Sequence, residues 1–235
     1  MRFVSSLIKR FGGAKGFQVN HSLFFNRSNI SATSNSGNNF ITGSDVRKEI
    51  SKPIIQPFKS LNVRGTIIAD FVASDNKTIE IHADDNLLDI VEIEYEDSSL
   101  NIGLKDNVSF MSRTPICVKI FYPNLEIASL KGSGGVSVSG LEQDEFEMRL
   151  SGSGDAYLHG KVRCLKLALK GSGYLNAKTM KTCHLVAQLD GSGDVLAQAK
   201  SSVEATLRGS GEIFIHGDPE VRKISKSGSG NIEIK

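Results

Sequence analysis

Hydrophobic positions in the second half of the chain repeat with a period of roughly 19 residues. A Gly-Ser-Gly triplet begins at Gly132, and the first glycines of the six successive triplets are 20, 19, 20, 18 and 19 residues apart. Two and four residues after every triplet lies an apolar side chain, which predicts a half-buried strand after each one. These apolar positions are Val136, Val138, Ala156, Leu158, Leu175, Ala177, Val195, Ala197, Ile213, Ile215, Ile232 and Ile234.

A second alternating stretch precedes the glycines in most repeats, as in Leu165-Leu167-Leu169. One coil of about 19 residues cannot bury its apolar face alone, whereas stacked coils pair each strand with its equivalents about 4.8 Å above and below. The sequence therefore predicts an all-β fold, a parallel β-solenoid that resembles a β-helix and has the triplets at its corners.

The triplet glycines are predicted to be structural corner residues. Glycine suits a corner with positive φ, and it allows coils to approach without a Cβ atom. A phosphate cradle is disfavoured because the triplets lead into strands and GxxxxGK[ST] does not occur. The predicted corner residues are Gly132, Gly134, Gly152, Gly154, Gly171, Gly173, Gly191, Gly193, Gly209, Gly211, Gly228 and Gly230.

Residues 58–129 show period-two alternation between turn residues, as in Thr78 to His82, and form the predicted N-terminal β part of the domain. Residues 130–235 form the predicted Gly-Ser-Gly solenoid. Near residues 87–91 the pattern allows little more than one helical turn.

Residues 1–57 are predicted to be a basic, Asn/Ser-rich leader and linker, largely disordered. No acidic residue occurs before Asp45, and Val4, Leu7, Ile8 and Phe11 share one helical face. A targeting or membrane-surface segment and a leader without an address are both open. A secretory signal is not indicated because Lys9-Arg10 interrupts the apolar run, and no run is long enough to span a membrane.

Composition limits the candidate chemistry. Lys plus Arg number 28 against 26 Asp plus Glu, which gives no argument for nucleic-acid binding. The cysteines lack CxxC spacing, although Cys164 and Cys183 would lie near each other on adjacent coils; a bridge between them is compatible with the repeat and is not predicted. No cofactor, metal or catalytic site is predicted.

Histidines and charged corners are the remaining candidate site residues. His159 and His216 share a register three coils apart and cannot bind one metal ion, while His184 and Cys183 point to opposite faces. One position before the triplets, Asp190 would lie between Lys170 and Arg208 on successive coils. Such a row could form a polar strip that binds a glycan or protein, or consist of solvated corners with weak ion pairs.

Residues 58–235 resemble the putative auto-transporter adhesin, head GIN domain family. The resemblance rests on FKSLNVRG from Phe58, ADDNLL from Ala83, YPNL from Tyr122 and the serial LxGSG units. It implies a β-helical, non-enzymatic domain of exported or envelope proteins, with no catalytic residues to carry over.

Three hypotheses for function follow. The first is an adhesin-like module that binds a glycan, protein or envelope partner or has a structural role. The alternative is a carbohydrate-active enzyme on a β-helix scaffold. Self-association through the open strand edges at the solenoid ends is a third. Cell-envelope, organellar and cytoplasmic locations all stay open.

Overall fold

The computed structural model describes residues 39–235, which carry strands and one short 3₁₀ helix, Asp85–Ile90. The strands of the N-terminal part are β1 (Asn39–Thr42), β2 (Arg47–Pro53), β3 (Ser60–Gly65), β4 (Ile68–Ala73), β5 (Thr78–Asp84), β6 (Val91–Glu96), β7 (Ser99–Leu104), β8 (Val108–Met111) and β9 (Cys117–Tyr122). The strands of the repeat part are β10 (Ile127–Gly132), β11 (Gly135–Gly152), β12 (Asp155–Gly171), β13 (Tyr174–Gly191), β14 (Asp194–Gln198), β15 (Ser202–Gly209), β16 (Glu212–His216), β17 (Val221–Ser227) and β18 (Asn231–Ile234).

The repeat part is an in-register stack of parallel strands, which confirms the predicted β-solenoid. Gly152 on β11 pairs with Gly171 on β12, and Gly171 pairs with Gly191 on β13. Because the triplets align from coil to coil, every strand that precedes a triplet pairs with its equivalent in the next coil. The prediction of stacked coils from the 19-residue period is therefore correct.

The coils build two main strand layers. Sheet A contains β6, β7, β3, β10, the second halves of β11, β12 and β13, then β15 and β17. Sheet B contains β2, β5, β9, β4, the first halves of β11, β12 and β13, then β14, β16 and β18. The long strands turn from sheet B towards sheet A at Gly140 and Gly160, both of which have positive φ.

The core lies between these layers as columns of equivalent side chains. Ten of the twelve predicted apolar positions are buried, and the two in the last coil, Ile232 and Ile234, are partly buried because no further coil covers them within the described residues. A second column precedes the triplets and contains Leu130, Leu150, Leu169, Leu189 and Leu207.

The N-terminal part continues the same stack. Val63 pairs with Leu130, and Gly65 pairs with Gly132, so β3 occupies the position of a further coil. The chain then departs from the repeat because β5 runs antiparallel to β9, and β6 runs antiparallel to β7.

Residues 39–53 differ from the linker expected for residues 1–57. β2 pairs antiparallel with β5, and Ile50 packs against the core opposite Ile81. The charged sequence of β2 does not predict this pairing. An edge strand that is held by main-chain hydrogen bonds needs only one apolar side chain towards the core. The predicted helical face at residues 4–11 lies outside the described residues.

Candidate functional site: the polar face of sheet A

The outward side of sheet A carries two neighbouring rows of mostly polar side chains, here called the polar face. Each row takes one residue per strand because the parallel strands are in register. The first row contains Asn101, Asn62, Ser129, Arg149, Ala168 and Gln188. The second row contains Arg64, Lys131, Ser151, Lys170, Asp190 and Arg208.

Neutral side chains at one end of the first row form a hydrogen-bonded ladder. The Asn62 Nδ2 group donates to Asn101 Oδ1 at 2.9 Å, and the Ser129 hydroxyl donates to Asn62 Oδ1. All three residues are half-buried. The ladder fixes the orientation of the amides across three strands, and the remaining donors and acceptors face the open side of the sheet.

Some cations of the polar face are ion-paired. Arg208 lies 3.3 Å from Asp190, as the sequence register predicts. The Arg149 guanidinium donates two hydrogen bonds to the carboxylate of Glu147, at 2.6 and 3.0 Å, and these bonds raise the pKa of Arg149 above its ordinary value. These pairs are largely exposed, so each contributes little to stability.

Other cations of the face have no acidic partner. Arg64, Lys131 and Lys170 are exposed and form no ion pair among residues 39–235. Arg64 and Lys131 lie on adjacent strands, and one strand separates Lys131 from Lys170. The three charges therefore lie within about 15 Å along one row.

A groove of about 580 Å³ follows the polar face. Its lining includes Asn62, Asn101, Ser129, Lys131, Lys170 and Gln188. A second hollow of about 530 Å³ lies beside it and is acidic, with Glu126, Asp144, Glu145 and Glu147 in its wall. Of these acids, Glu126 is paired with Lys59 at 2.9 Å and Asp144 with Arg163 at 3.1 Å.

Gly-Ser-Gly corners border this groove but direct their amide groups into the fold. The amides of Ser192 and Gly193 donate to the carbonyl oxygen of Gly171 on the preceding coil, at 3.0 and 3.1 Å. A phosphate cradle would need such amides free to face a ligand. The geometry at these corners favours the structural role predicted for the glycines, which stays a prediction until they are substituted.

The histidine candidates are separated in the structure. His159 on β12 and His216 on β16 have β13 and β14 between them in the sheet order. His184 Nδ1 lies 2.8 Å from the Ser202 hydroxyl. Cys164 pairs in register with His184, one residue beyond Cys183, and both thiols are free.

Comparison with known proteins identifies the family of the domain. The family profile of the putative auto-transporter adhesin, head GIN domain, matches residues 57–219. The chain belongs to the head GIN domain family. The match spans most of the chain, including β3, every complete coil and five of the six Gly-Ser-Gly triplets.

Solved structures of other proteins share the fold. A putative adhesin from Bacteroides fragilis aligns with a TM-score of 0.67 and 22% identity over 83% of this chain and 99% of its own. A putative lipid binding protein from Parabacteroides distasonis aligns with a TM-score of 0.56 and 21% identity over 84% of this chain and 100% of its own. No curated protein matches the chain. Among residues 39–235, no helix is long and apolar enough to cross a membrane.

Only part of the polar face follows from the sequence. The repeat predicts the row before the triplets but not the Asn62–Asn101–Ser129 ladder. A weak signal existed, since Leu61, Val63 and Gly65 reproduce the spacing of Ala128, Leu130 and Gly132. That spacing extends the register into β3.

Proposed function

We propose that this head GIN domain is a non-enzymatic, adhesin-like binding module that binds an acidic glycan along the polar face. The observation that supports this most strongly is the row of unpaired cations, Arg64, Lys131 and Lys170, beside the amide and hydroxyl ladder. Sugar hydroxyls need paired donors and acceptors, whereas carboxylate or sulfate groups need cations.

The shape of the site also favours a chain-like ligand. The groove crosses successive coils, so equivalent positions recur at the strand spacing of about 4.8 Å. A polymer with repeated anionic groups can contact several coils at once, and weak contacts at each coil then add through multivalency.

The alternative of a carbohydrate-active enzyme requires two carboxyl groups on either side of a scissile bond, within about 10 Å of each other. In the groove, the acids are Glu96 on β6 and Asp190 on β13. Six strand spacings separate these strands in sheet A, or about 29 Å. Asp190 is also paired with Arg208. This groove therefore favours binding over hydrolysis.

The test compares two triple variants of the full chain. R64Q/K131Q/K170Q removes the unpaired cations of the polar face, and K161Q/K181Q/K200Q removes the same charge from exposed lysines elsewhere on the coils. Binding to immobilised uronic-acid polysaccharides, sulfated polysaccharides and neutral glucans is measured, with anionic lipid vesicles as a further arm.

The proposal predicts binding to an acidic polysaccharide, weakened at least about tenfold in the polar-face variant at low salt and unchanged in the control variant. Equal losses in both variants would indicate attraction by net charge alone and contradict the site. Binding to vesicles but to none of the polysaccharides would replace the glycan by a lipid surface, and release of sugar products would reinstate the enzyme.

A further inference from the structure

A histidine and two glutamates converge on the outward side of sheet B, away from the polar face. Glu49 on β2 lies directly opposite His82 on β5, and Glu80 precedes His82 by two residues on the same strand. Cross-strand partners and residues two apart share one face of a sheet, so the three side chains point to the same side.

Distances between their ligand atoms suit a bound cation. Glu80 Oε2 lies 3.6 Å from His82 Nε2, Glu49 Oε2 lies 3.5 Å from His82 Nδ1, and one ligand atom from each residue falls within 4.8 Å of the other two. One ion binds only one of the two ring nitrogens, so one carboxylate already lies near the roughly 3.4 Å that separates ligands bound tetrahedrally to zinc at about 2.1 Å, and the other has to close in from no more than 4.8 Å.

The ring nitrogen of His82 supplies an independent observation. His82 Nε2 is fully shielded and has no hydrogen-bond partner among the described residues, although it faces the Glu80 carboxylate. A buried polar atom without a partner costs free energy and calls for an explanation. Its 3.6 Å separation is too long for a hydrogen bond but is suitable for two ligands of one metal ion.

We propose that Glu49, Glu80 and His82 form a binding site for a divalent transition-metal ion of the zinc class. An imidazole ligand favours zinc and its neighbours over Ca²⁺ and Mg²⁺, which prefer oxygen ligands. The more exposed Glu49 completes the site from the edge strand, and solvent supplies the remaining ligand. The ion would fasten β2, and with it residues 47–53, to the body of sheet B.

One nearby cation disfavours metal binding at this site and provides a further test of it. Lys119 on β9 lies directly opposite Glu80 and forms no ion pair among residues 39–235. Its ammonium group repels a bound cation, so removal of this charge is expected to tighten metal binding. A purely structural Glu–His cluster gives no such response.

The experiment is calorimetric titration of the full-length, EDTA-treated protein with zinc chloride at neutral pH. E49Q, E80Q and H82Q are compared with H184Q/E204Q, which alters an exposed histidine and a partly exposed glutamate on sheet A. Unfolding temperatures in EDTA verify that each variant folds. Because Glu49 is largely exposed, E49Q still tests the site if E80Q or H82Q, whose side chains are more buried, proves unstable.

We expect the wild-type protein to bind one zinc ion per chain. E49Q, E80Q and H82Q should each bind zinc at least about tenfold more weakly. H184Q/E204Q should bind it with unchanged affinity, and K119Q should bind it more tightly. Zinc should raise the unfolding temperature of the wild-type protein and not that of H82Q. Absence of zinc binding, or binding that E49Q and H82Q leave intact, would overturn the site.

Discussion

Substitution of three glycines by alanine separates two physical demands that the corner hypothesis combines. Gly65 has φ +84° and its alanine Cβ would meet no atom within 4 Å. Gly193 does not have positive φ, but its Cβ would lie 2.3 Å from Gly173 O. Gly191 has φ +141°, and its Cβ would lie 2.1 Å from Gly171 O. The three sites therefore test conformation alone, close approach alone, and both together.

The expected losses follow from these geometries. Positive φ costs an alanine about 1–2 kcal/mol, which is the whole effect at Gly65. At Gly193, relief of the overlap requires a shift of about 1 Å that stretches hydrogen bonds between coils, each contributing about 1 kcal/mol, so about 2–3 kcal/mol is expected. Gly191 combines both effects and should lose about 3–5 kcal/mol.

Thermal unfolding followed by circular dichroism measures the order of the three variants. A domain of this size loses about 2–4 °C per kcal/mol, so G65A should melt a few degrees below the wild type and G191A at least about 6 °C below it. If G65A is as destabilised as G191A, close approach of the coils is not what requires glycine. Wild-type melting of G191A would refute the corner role altogether.

Two further predictions concern the core and the pH dependence of stability. Phe146→Ala, which empties a buried position in sheet A, should lower the free energy of unfolding measured with a chemical denaturant by about 3–5 kcal/mol. Phe214→Ala, on the outward side of sheet B, should lower it clearly less. Equal losses would contradict the assigned faces. The pKa of His216 lies below its ordinary value because burial disfavours the charged ring, with smaller contributions from Lys178 and Lys235. The unfolded chain therefore takes up this proton first as pH falls below 6.5, and H216Q should lose less stability than the wild type between about pH 7 and pH 5; parallel losses would contradict this role.

The repeat part of the fold was predictable because its information is local. Val136 and Val138 alternate within one coil, and the same spacing returns every 19 or so residues, so both the strands and their stacking follow from one pattern. The short 3₁₀ helix at Asp85–Ile90 overlaps residues 87–91, where the pattern allows little more than one helical turn, although Asp84 forms no side-chain capping hydrogen bond.

Elements without periodicity were not predictable. β2 is rich in charge, and its place is fixed by main-chain pairing with β5, which no local pattern encodes. The pairing of β8 with β1 is likewise encoded by no local pattern. The proposed metal ligands Glu49 and His82 are 33 residues apart and meet only through an antiparallel register.

The polar face was half predictable. Asp190 and Arg208 follow from the triplet register, and their 3.3 Å pair confirms it. Asn62 and Asn101 lie in the irregular N-terminal part, where strand order departs from chain order, so their hydrogen bond requires the three-dimensional structure.

The central claim is that this head GIN domain binds through the outward side chains of sheet A, while its Gly-Ser-Gly corners are structural. The most direct measurement compares the affinity of one acidic polysaccharide for the wild type, for R64Q/K131Q/K170Q and for the corner variant S172A/S192A, whose serines are exposed. The polar-face variant should lose at least about tenfold in affinity, and the corner variant should bind like the wild type. Loss of binding in the corner variant with retention in the polar-face variant would contradict the claim.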